Sequence, residues 1–583
     1  MNTLLWVLVG VALFWVLAML IKARGYLPES VRVYGPLVTV HTRRGRALLG
    51  RLARPKRLWR MWGNLGLGIA LMVMVVSTVF LAVVAVLTLL NPPEPTAVNR
   101  PQNVLVIPGV NDFLPLSVAP EILAGLAIGL VVHEAGHGIL CRVEDIEIES
   151  LGLVFLTLLP AGAFVEQDLD SQWLASRGGR GRMLAAGVTN NFAITGLAFL
   201  LLFGPVAGSV SVAAGAAVGG VLDGGPAATV GLSQGDRIVG VNGRTIEDND
   251  ALRTALETNG EETVSVSLAS GETVAIDRRV KVIGGVTDGP TGLAVNDTIV
   301  AVNGTAITTE AALYDALRNR TIVSVRTADG SQHTFAAGAY VIVSEGGPLN
   351  VSGGAPAGPL TITRINGNRT VSMDALTREL SNLPAGRTVG LVGYRNGTRY
   401  TYEVTLGTDE DGSGFLGVFT GATGVTGLRF NDLGLQTYPA ANYLCVLGGS
   451  CVGAPSIDLG FFERIWFALR LPLVGITSSP VFPFNFAGFA GGTANFYTGP
   501  PLIFLLANLL FWTGWVNLNL AIFNCIPTFA LDGGHILRTA VESVAARLPV
   551  SDPRQVVTAA TLSVQAVMLG SLLLLLFGAQ LLN

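Results

Sequence analysis

Hydrophobic and polar positions divide this chain into apolar blocks toward its two ends and an alternating middle. Six apolar runs stand out: Leu4–Ile21, Asn64–Leu90, Ala119–Cys141, Met183–Pro205, Pro501–Phe523 and Val556–Leu582. Each is close to or beyond the ~20 residues that cross the hydrocarbon core of a bilayer, so about six membrane-spanning helices are predicted. Residues 212–410, between the fourth and fifth runs, alternate apolar and polar positions over short stretches broken by Asn-Gly pairs. Such period-two runs around Asn-Gly predict β-hairpins. The expected fold class is an α-helical polytopic membrane protein with an inserted α+β region.

That middle region repeats. LSQGDRIVGVNGRTIEDNDAL (232–252) parallels LAVNDTIVAVNGTAITTEAAL (293–313), and PLTITRINGNRTVSMDAL (359–376) is a weaker third copy. The pairs beginning at Asn242, Asn303 and Asn366 fall 61 and 63 residues apart. These segments resemble PDZ domains of the bacterial-protease type, with Gly225-Pro226-Ala227 and Gly231-Leu232 ahead of the first copy. The resemblance implies two to three PDZ-like domains, at 212–280, 281–345 and, in degenerate form, 350–408. It also implies capture of a peptide by strand addition at a sheet edge; the plainer alternative is a rigid spacer. Within 412–499, residues 412–460 read as Gly-rich loops and short strands, and 461–498 as a segment lying along the membrane interface rather than spanning it.

Composition agrees with a membrane setting. Of 583 residues, 50% are hydrophobic and 13% charged, about half the charged share of an ordinary soluble protein. Residues 22–63 hold eleven Lys/Arg against the single acid Glu29. The positive-inside rule therefore places this loop in the cytoplasm and the PDZ-like region outside. Residues 1–118 form an N-terminal region of two spans, the first read as an uncleaved anchor; together the spans either gate a site or anchor the chain. The basic loop between them either binds anionic lipid or simply obeys the orientation rule. Residues 212–460 carry 24 acidic against 16 basic side chains, and no nucleic-acid partner is expected. Cys445 and Cys451 lie in the outer region, where a disulfide is permitted; two separate thiols are the alternative. Cys141 and Cys525 read as small buried hydrophobes.

The chemistry is concentrated in two motifs. His133-Glu134-Ala135-Gly136-His137 lies within the third apolar run, and Asp532 stands in NCIPTFALDGGHIL just after the fifth. Ligating and charged residues at membrane depth are costly and mark function. Histidines four apart on a helix share a face and can bind one ion, while the neighbouring glutamate is free for proton transfer. Catalytic zinc takes three protein ligands. Cys141 is a full turn beyond His137, about 6 Å along the helix, so Asp532, in a Pro-interrupted and Gly-flanked segment, is the better third ligand.

HEAGH together with NCIPTFALDGG resembles the site-2 protease family of intramembrane zinc metalloproteases, whose second motif is Asn-x-x-Pro-x-x-x-Leu-Asp-Gly. Asn524, Pro527, Leu531, Asp532 and Gly533 fill that pattern. AAGVTNNF (185–192) is similar to the family's Ala-Gly-x-x-x-Asn-Phe stretch, and PAGAFVE (160–166) to its membrane-associated hairpin. The resemblance covers the core spans, 119–205 and 500–540, and implies protease core halves at 119–205 and 500–583, the second ending in a C-terminal transmembrane helix. It implies one catalytic Zn2+ held by His133, His137 and Asp532, with Glu134 as catalytic base. Asn191, Asn524 and Pro527 would support the substrate backbone or the transition state, although amides between membrane helices also serve as packing glue. The implied substrate is a transmembrane helix of another protein, cut in regulated intramembrane proteolysis. The alternative is a catalytically silent membrane scaffold that binds peptides through its PDZ repeats.

Overall fold

The computed structural model describes the chain apart from residues 1–2, 29, 36, 96–98, 104–105, 157–158, 287–288, 410–411, 421–423, 455–458, 479–487, 490, 530, 550–551 and 583. It divides into two compact units, Met1–Ala207 with Leu502–Asn583, and Gly208–Pro501.

In the first unit, five of the described helices are long and apolar enough to cross a membrane: Lys56–Leu90, Leu116–Val143, Arg177–Ser209, Pro501–Cys525 and Pro553–Leu581. Thr3–Ala23, the first expected span, is also helical, but its described apolar stretch, Val9–Ala23, is shorter. Small residues set the spacing in this bundle, as expected where lipid supplies no hydrophobic drive between helices. Lys56–Leu90 buries Gly63, Gly66, Ala70, Met74, Leu81 and Ala85, a stripe at three- and four-residue steps. The core gathers at the end of the HEAGH helix, where Leu140, Cys141 and Val143 meet Met183–Val188, Ala521, Cys525 and Ile536.

A four-stranded antiparallel sheet completes this unit, ordered Val31–Tyr34, Leu37–Thr42, Ile148–Leu156, Leu159–Gln167. The basic loop thus contributes two strands that its sequence did not announce. Leu37–Thr42 runs against Ile148–Leu156 with His41 opposite Gly152. His41 is partly buried here and meets the Ser150 hydroxyl at 2.9 Å.

The second unit holds three sheets of one pattern. The first runs Thr273–Asp277, Thr263–Leu268, Arg237–Val241, Ala216–Val221, Leu435–Thr437. The second runs Gln332–Ala336, Ile322–Thr327, Thr298–Val302, Val280–Gly285, Leu428–Asn431. The third runs Thr398–Thr405, Thr388–Arg395, Gly358–Ile365, Ala339–Val343, Val418–Thr420. Asn242, Asn303 and Asn366 turn at φ 49°, 51° and 49°, each followed by a glycine at positive φ, the conformation that makes Asn-Gly a hairpin turn. One helix covers each sheet: Asn249–Thr258, Glu310–Arg318 and Met373–Ser381. Asp248, Thr309 and Ser372 cap them by accepting from the N–H three residues on.

The order of the closing strands is the distinctive feature. Five strands of each six-stranded sheet come from consecutive sequence, one of them a two-residue strand after the Asn-Gly turn (Arg244–Thr245, Thr305–Ala306, Asn368–Arg369), but the sixth arrives on a return path that visits the sheets in reverse. Val418–Thr420 closes the third, Leu428–Asn431 the second and Leu435–Thr437 the first. The modules are therefore nested. Two fastenings join outgoing and returning chain. Between the second and third sheets, Thr426 (φ 49°) accepts from Gly338 N–H at 3.1 Å and donates to Ala336 O at 2.9 Å. Between the first and second, the Arg278 guanidinium meets the Asp432 carboxylate, both buried.

Beyond the return strands, Cys445 and Cys451 are joined in a disulfide with Cα atoms 4.5 Å apart. Phe461–Ser478, within the expected interfacial segment, forms a helix containing Pro472; residues 479–487 of that segment lie outside the described residues.

Candidate metal centre

The HEAGH residues lie in the second half of the helix Ala119–Val143. Their four-residue spacing puts His133 and His137 on one face, each 6% exposed, with their Nε2 atoms 3.1 Å apart. Asp532 reaches the same point from the other half of the bundle. The helix Pro501–Cys525 stops before Pro527, and a new helix, Asp532–Ala545, begins after Leu531 in extended conformation. Asp532 is the first residue of that helix, where the N-terminal dipole favours a carboxylate. The two glycines that follow let the new helix fold back on the break: a Cβ at Gly534 would collide with the Thr528 carbonyl oxygen, and one at Gly533 with that of Cys525.

Asp532 Oδ2 lies 3.1 Å from His133 Nε2 and 3.4 Å from His137 Nε2. Three potential ligand atoms thus form a triangle with edges of 3.1–3.4 Å. A tetrahedral ion with bonds of about 2.0–2.1 Å requires donors about 3.3 Å apart, so the set fits zinc. Among the described residues, His133, His137 and Asp532 are the one group of three such side chains with ligand atoms within 4.8 Å of one another. Asp532 Oδ2 is buried with no hydrogen-bond donor, a condition that a cation relieves.

The far sides of the rings are also set. His137 Nδ1 lies 2.8 Å from Met183 O. A carbonyl can only accept, so this nitrogen carries the proton and Nε2 presents its lone pair. His133 Nδ1 lies 3.2 Å from the Asn191 amide, whose Oδ1 has no other partner. The two ends of an amide have the same shape; with its oxygen toward the ring, Asn191 fixes His133 in the same tautomer. Such outer partners are the usual support of ligating histidines.

The triangle opens on a cavity of about 720 Å³ whose walls include Glu134, Val165, Leu520 and Asn524. Glu134 Oε2 accepts from Val165 N–H at 2.8 Å, which ties it to the strand Leu159–Gln167. Asn524 stands on the cavity wall and Pro527 is buried at the helix break. Asn191 has no exposure and is absent from the wall. The sequence grouped the two asparagines together, but the structure sets one behind a ligand and the other before the cavity.

Two features of the site were not singled out from sequence. Gly187, within AAGVTNNF, faces the imidazoles: a Cβ there would stand 2.6 Å from Nε2 of both His133 and His137. At the cavity rim, Arg180 pairs with Glu542 at 2.8 Å, and Arg180 and Arg538 both lie over the Trp173 ring. The motif containing Gly187 carried a signal; the rim cluster, drawn from three separated segments, carried none.

Membrane-length helices around a two-histidine, one-carboxylate cluster, with a further glutamate beside it, define an integral membrane metallohydrolase. Residues 121–389 and 486–569, more than half of the chain, match peptidase family M50. The protein belongs to that family, the site-2 protease family of metallopeptidases.

Proposed function

We propose that the protein is a zinc-dependent endopeptidase that hydrolyses peptide bonds within transmembrane helices of membrane-tethered proteins, in regulated intramembrane proteolysis. The observation that carries this reading is the convergence of His133 Nε2, His137 Nε2 and Asp532 Oδ2, with Glu134 on the wall of the same cavity. These three side chains would hold one Zn2+, which when bound supplies a water of near-neutral pKa and a Lewis acid for the scissile carbonyl.

Glu134 moves the protons. Its carboxylate takes one from the attacking water and delivers it to the leaving nitrogen, while Val165 N–H, donating to Oε2, holds the side chain in place. Asn524 offers an amide donor to the substrate oxygen as it gains charge. Asn191 and the Met183 carbonyl orient the two imidazoles. The substrate helix must unwind before its carbonyl can enter, because a helix in lipid has no free backbone groups. Leu130, Phe164 and Leu184 give the cavity apolar walls that limit entry of bulk water.

The three nested modules read as PDZ-like and extracytoplasmic, with the basic loop and the cut on the cytoplasmic side. Their task in this reading is to capture peptide segments and so select substrates. The test is zinc content together with cleavage of a single-span test substrate in detergent, for the native chain and Glu134→Gln. Zinc in both with cleavage only by the native chain is expected. Absence of zinc from the native chain overturns the reading, and cleavage by the variant removes Glu134 from its role.

A further inference from the structure

A second cavity, of about 310 Å³, lies within the inserted unit. Its walls are the return strand Leu435–Thr437 and the helix Asn249–Thr258 of the first module, and the first turn of the helix Glu310–Arg318 of the second. Leu435–Thr437 is the terminal strand of its sheet, so the cavity is a groove between a sheet edge and a helix.

The groove combines buried apolar walls with buried acceptors that lack donors, and its exposed lining is charged: Asp250, Arg253 and Glu257. Leu252, Leu256, Ile283, Phe430 and Leu435 supply the apolar walls. Among the polar lining residues Asp432 is 1% exposed; its Oδ2 is engaged by Arg278 and by Glu310 N–H, but its Oδ1 has no donor. Gln436 Oε1, also of the lining, is likewise buried without a donor. Glu310 lines the cavity with no ion pair among the described residues. The local cations do not fill the gap. Arg278 spends its remaining donors on the carbonyls of Leu256, Asn259 and Glu261, and Arg253 sits between Asp250 and Glu257. The lining holds three carboxylates (Asp250, Glu257, Asp432) against three guanidiniums (Arg253, Arg278, Arg429), and a fourth carboxyl, Glu310, which burial keeps protonated and which ionises beside an arriving cation.

Apolar walls and unsatisfied buried acceptors within one cavity complement a lysine or arginine side chain, an aliphatic stem with a cation at its tip. A metal ion fits less well, because no three carboxylate or imidazole ligand atoms converge here among the described residues. We propose that this groove receives one basic side chain, carried on an extended segment of a partner protein lying between Leu435–Thr437 and Asn249–Thr258. The extended mode of binding rests on the PDZ-like reading of the modules; the preference for a cation rests on the acceptors alone.

The test uses the purified full chain in detergent and fluorescent hexapeptides of alternating Val and Thr. A single Lys is walked through the six positions, with norleucine in its place as the apolar counterpart. Fluorescence anisotropy should show one position at which the Lys peptide binds about tenfold tighter than the norleucine peptide. Glu310→Gln should reduce that preference to about twofold or less and leave norleucine binding unchanged; Gln436→Met should weaken it in the same direction. Equal binding of Lys and norleucine peptides at every position would overturn the cationic ligand while leaving peptide capture standing. Failure of all the peptides to bind would overturn both. Binding of Ca2+ or Mg2+ alone that Glu310→Gln abolishes would give the cavity to a metal ion and overturn the proposal.

Discussion

Arg278 and Asp432, 154 positions apart in sequence, form a buried ion pair that fastens the chain leaving the first sheet to the chain coming back to it. Neither side chain has appreciable exposure, and every other donor of Arg278 ends on a backbone carbonyl of the first module. Removing one partner of such a pair leaves a buried charge uncompensated, which costs about 3–5 kcal/mol, whereas replacing both by apolar groups costs little. Arg278→Met and Asp432→Leu should each lower the unfolding midpoint of the inserted unit sharply, and the double variant should recover most of the loss. Thermal unfolding followed by circular dichroism in the range where the sheets absorb checks this; single variants that melt like the native chain would show that the return path is not fastened there.

Gly187 gives a prediction in which stability and function move apart. Alanine is the better helix former by about 1 kcal/mol, and Gly187 lies within Arg177–Leu201. Its Cβ, however, would stand 2.6 Å from both imidazole Nε2 atoms, where the ion must sit. Gly187→Ala should therefore keep its helical signal and lose bound zinc and proteolysis together, as read by metal analysis beside circular dichroism.

The two asparagines should separate in the same assays. Asn191→Leu removes the partner of His133 Nδ1, a class of change that lowers metal affinity about 10–100-fold. Asn524→Ala, on the cavity wall, should retain zinc and lower kcat. A zinc titration on each variant, read beside kcat and KM, distinguishes these outcomes; loss of zinc from Asn524→Ala alone would reverse the assignment.

The different fates of these residues show where sequence suffices. His133, Glu134 and His137 are related by helical spacing, so the shared face of the two histidines follows from their positions in the chain alone. Asn242, Asn303 and Asn366 were legible as turns because the conformation Asn-Gly prefers is local. The return strands were not. Val418–Thr420, Leu428–Asn431 and Leu435–Thr437 have three, four and three residues, too few to show which of three similar sheets each will join. The strands Val31–Tyr34 and Leu37–Thr42 were hidden by their basic neighbourhood, since the pairing that makes them strands comes from Ile148–Leu156. Nor does a motif containing Asn191 say which way its side chain faces.

Acidity should tune the inserted unit through Glu310. Burial, reinforced by Asp432 and Glu257 and opposed by Arg278 and Arg253, pushes its carboxyl up to about 8. The folded chain then keeps a proton that the unfolded chain releases near the ordinary carboxyl value, so this group's contribution to stability falls as pH rises through that interval and levels above about 8. Asp250 and Arg429 also line the groove and must be unchanged in the comparison. Glu310→Gln should flatten that part of the stability profile between about pH 5 and 8, measured as the unfolding midpoint against pH. An identical slope in the variant would show that another group titrates.

The reversed order of the closing strands also has a consequence for synthesis. A ribosome delivers Ala216–Val221 long before Leu435–Thr437, its neighbour in the finished sheet. Ala339–Val343 waits a far shorter time for Val418–Thr420. Assembly during translation therefore runs from the inside outward: the last module begun is the first completed, and the first begun stays open at one edge until the others are done. An open sheet edge invites pairing with other chains, so the nascent protein is most exposed to misassembly just before Leu435–Thr437 emerges.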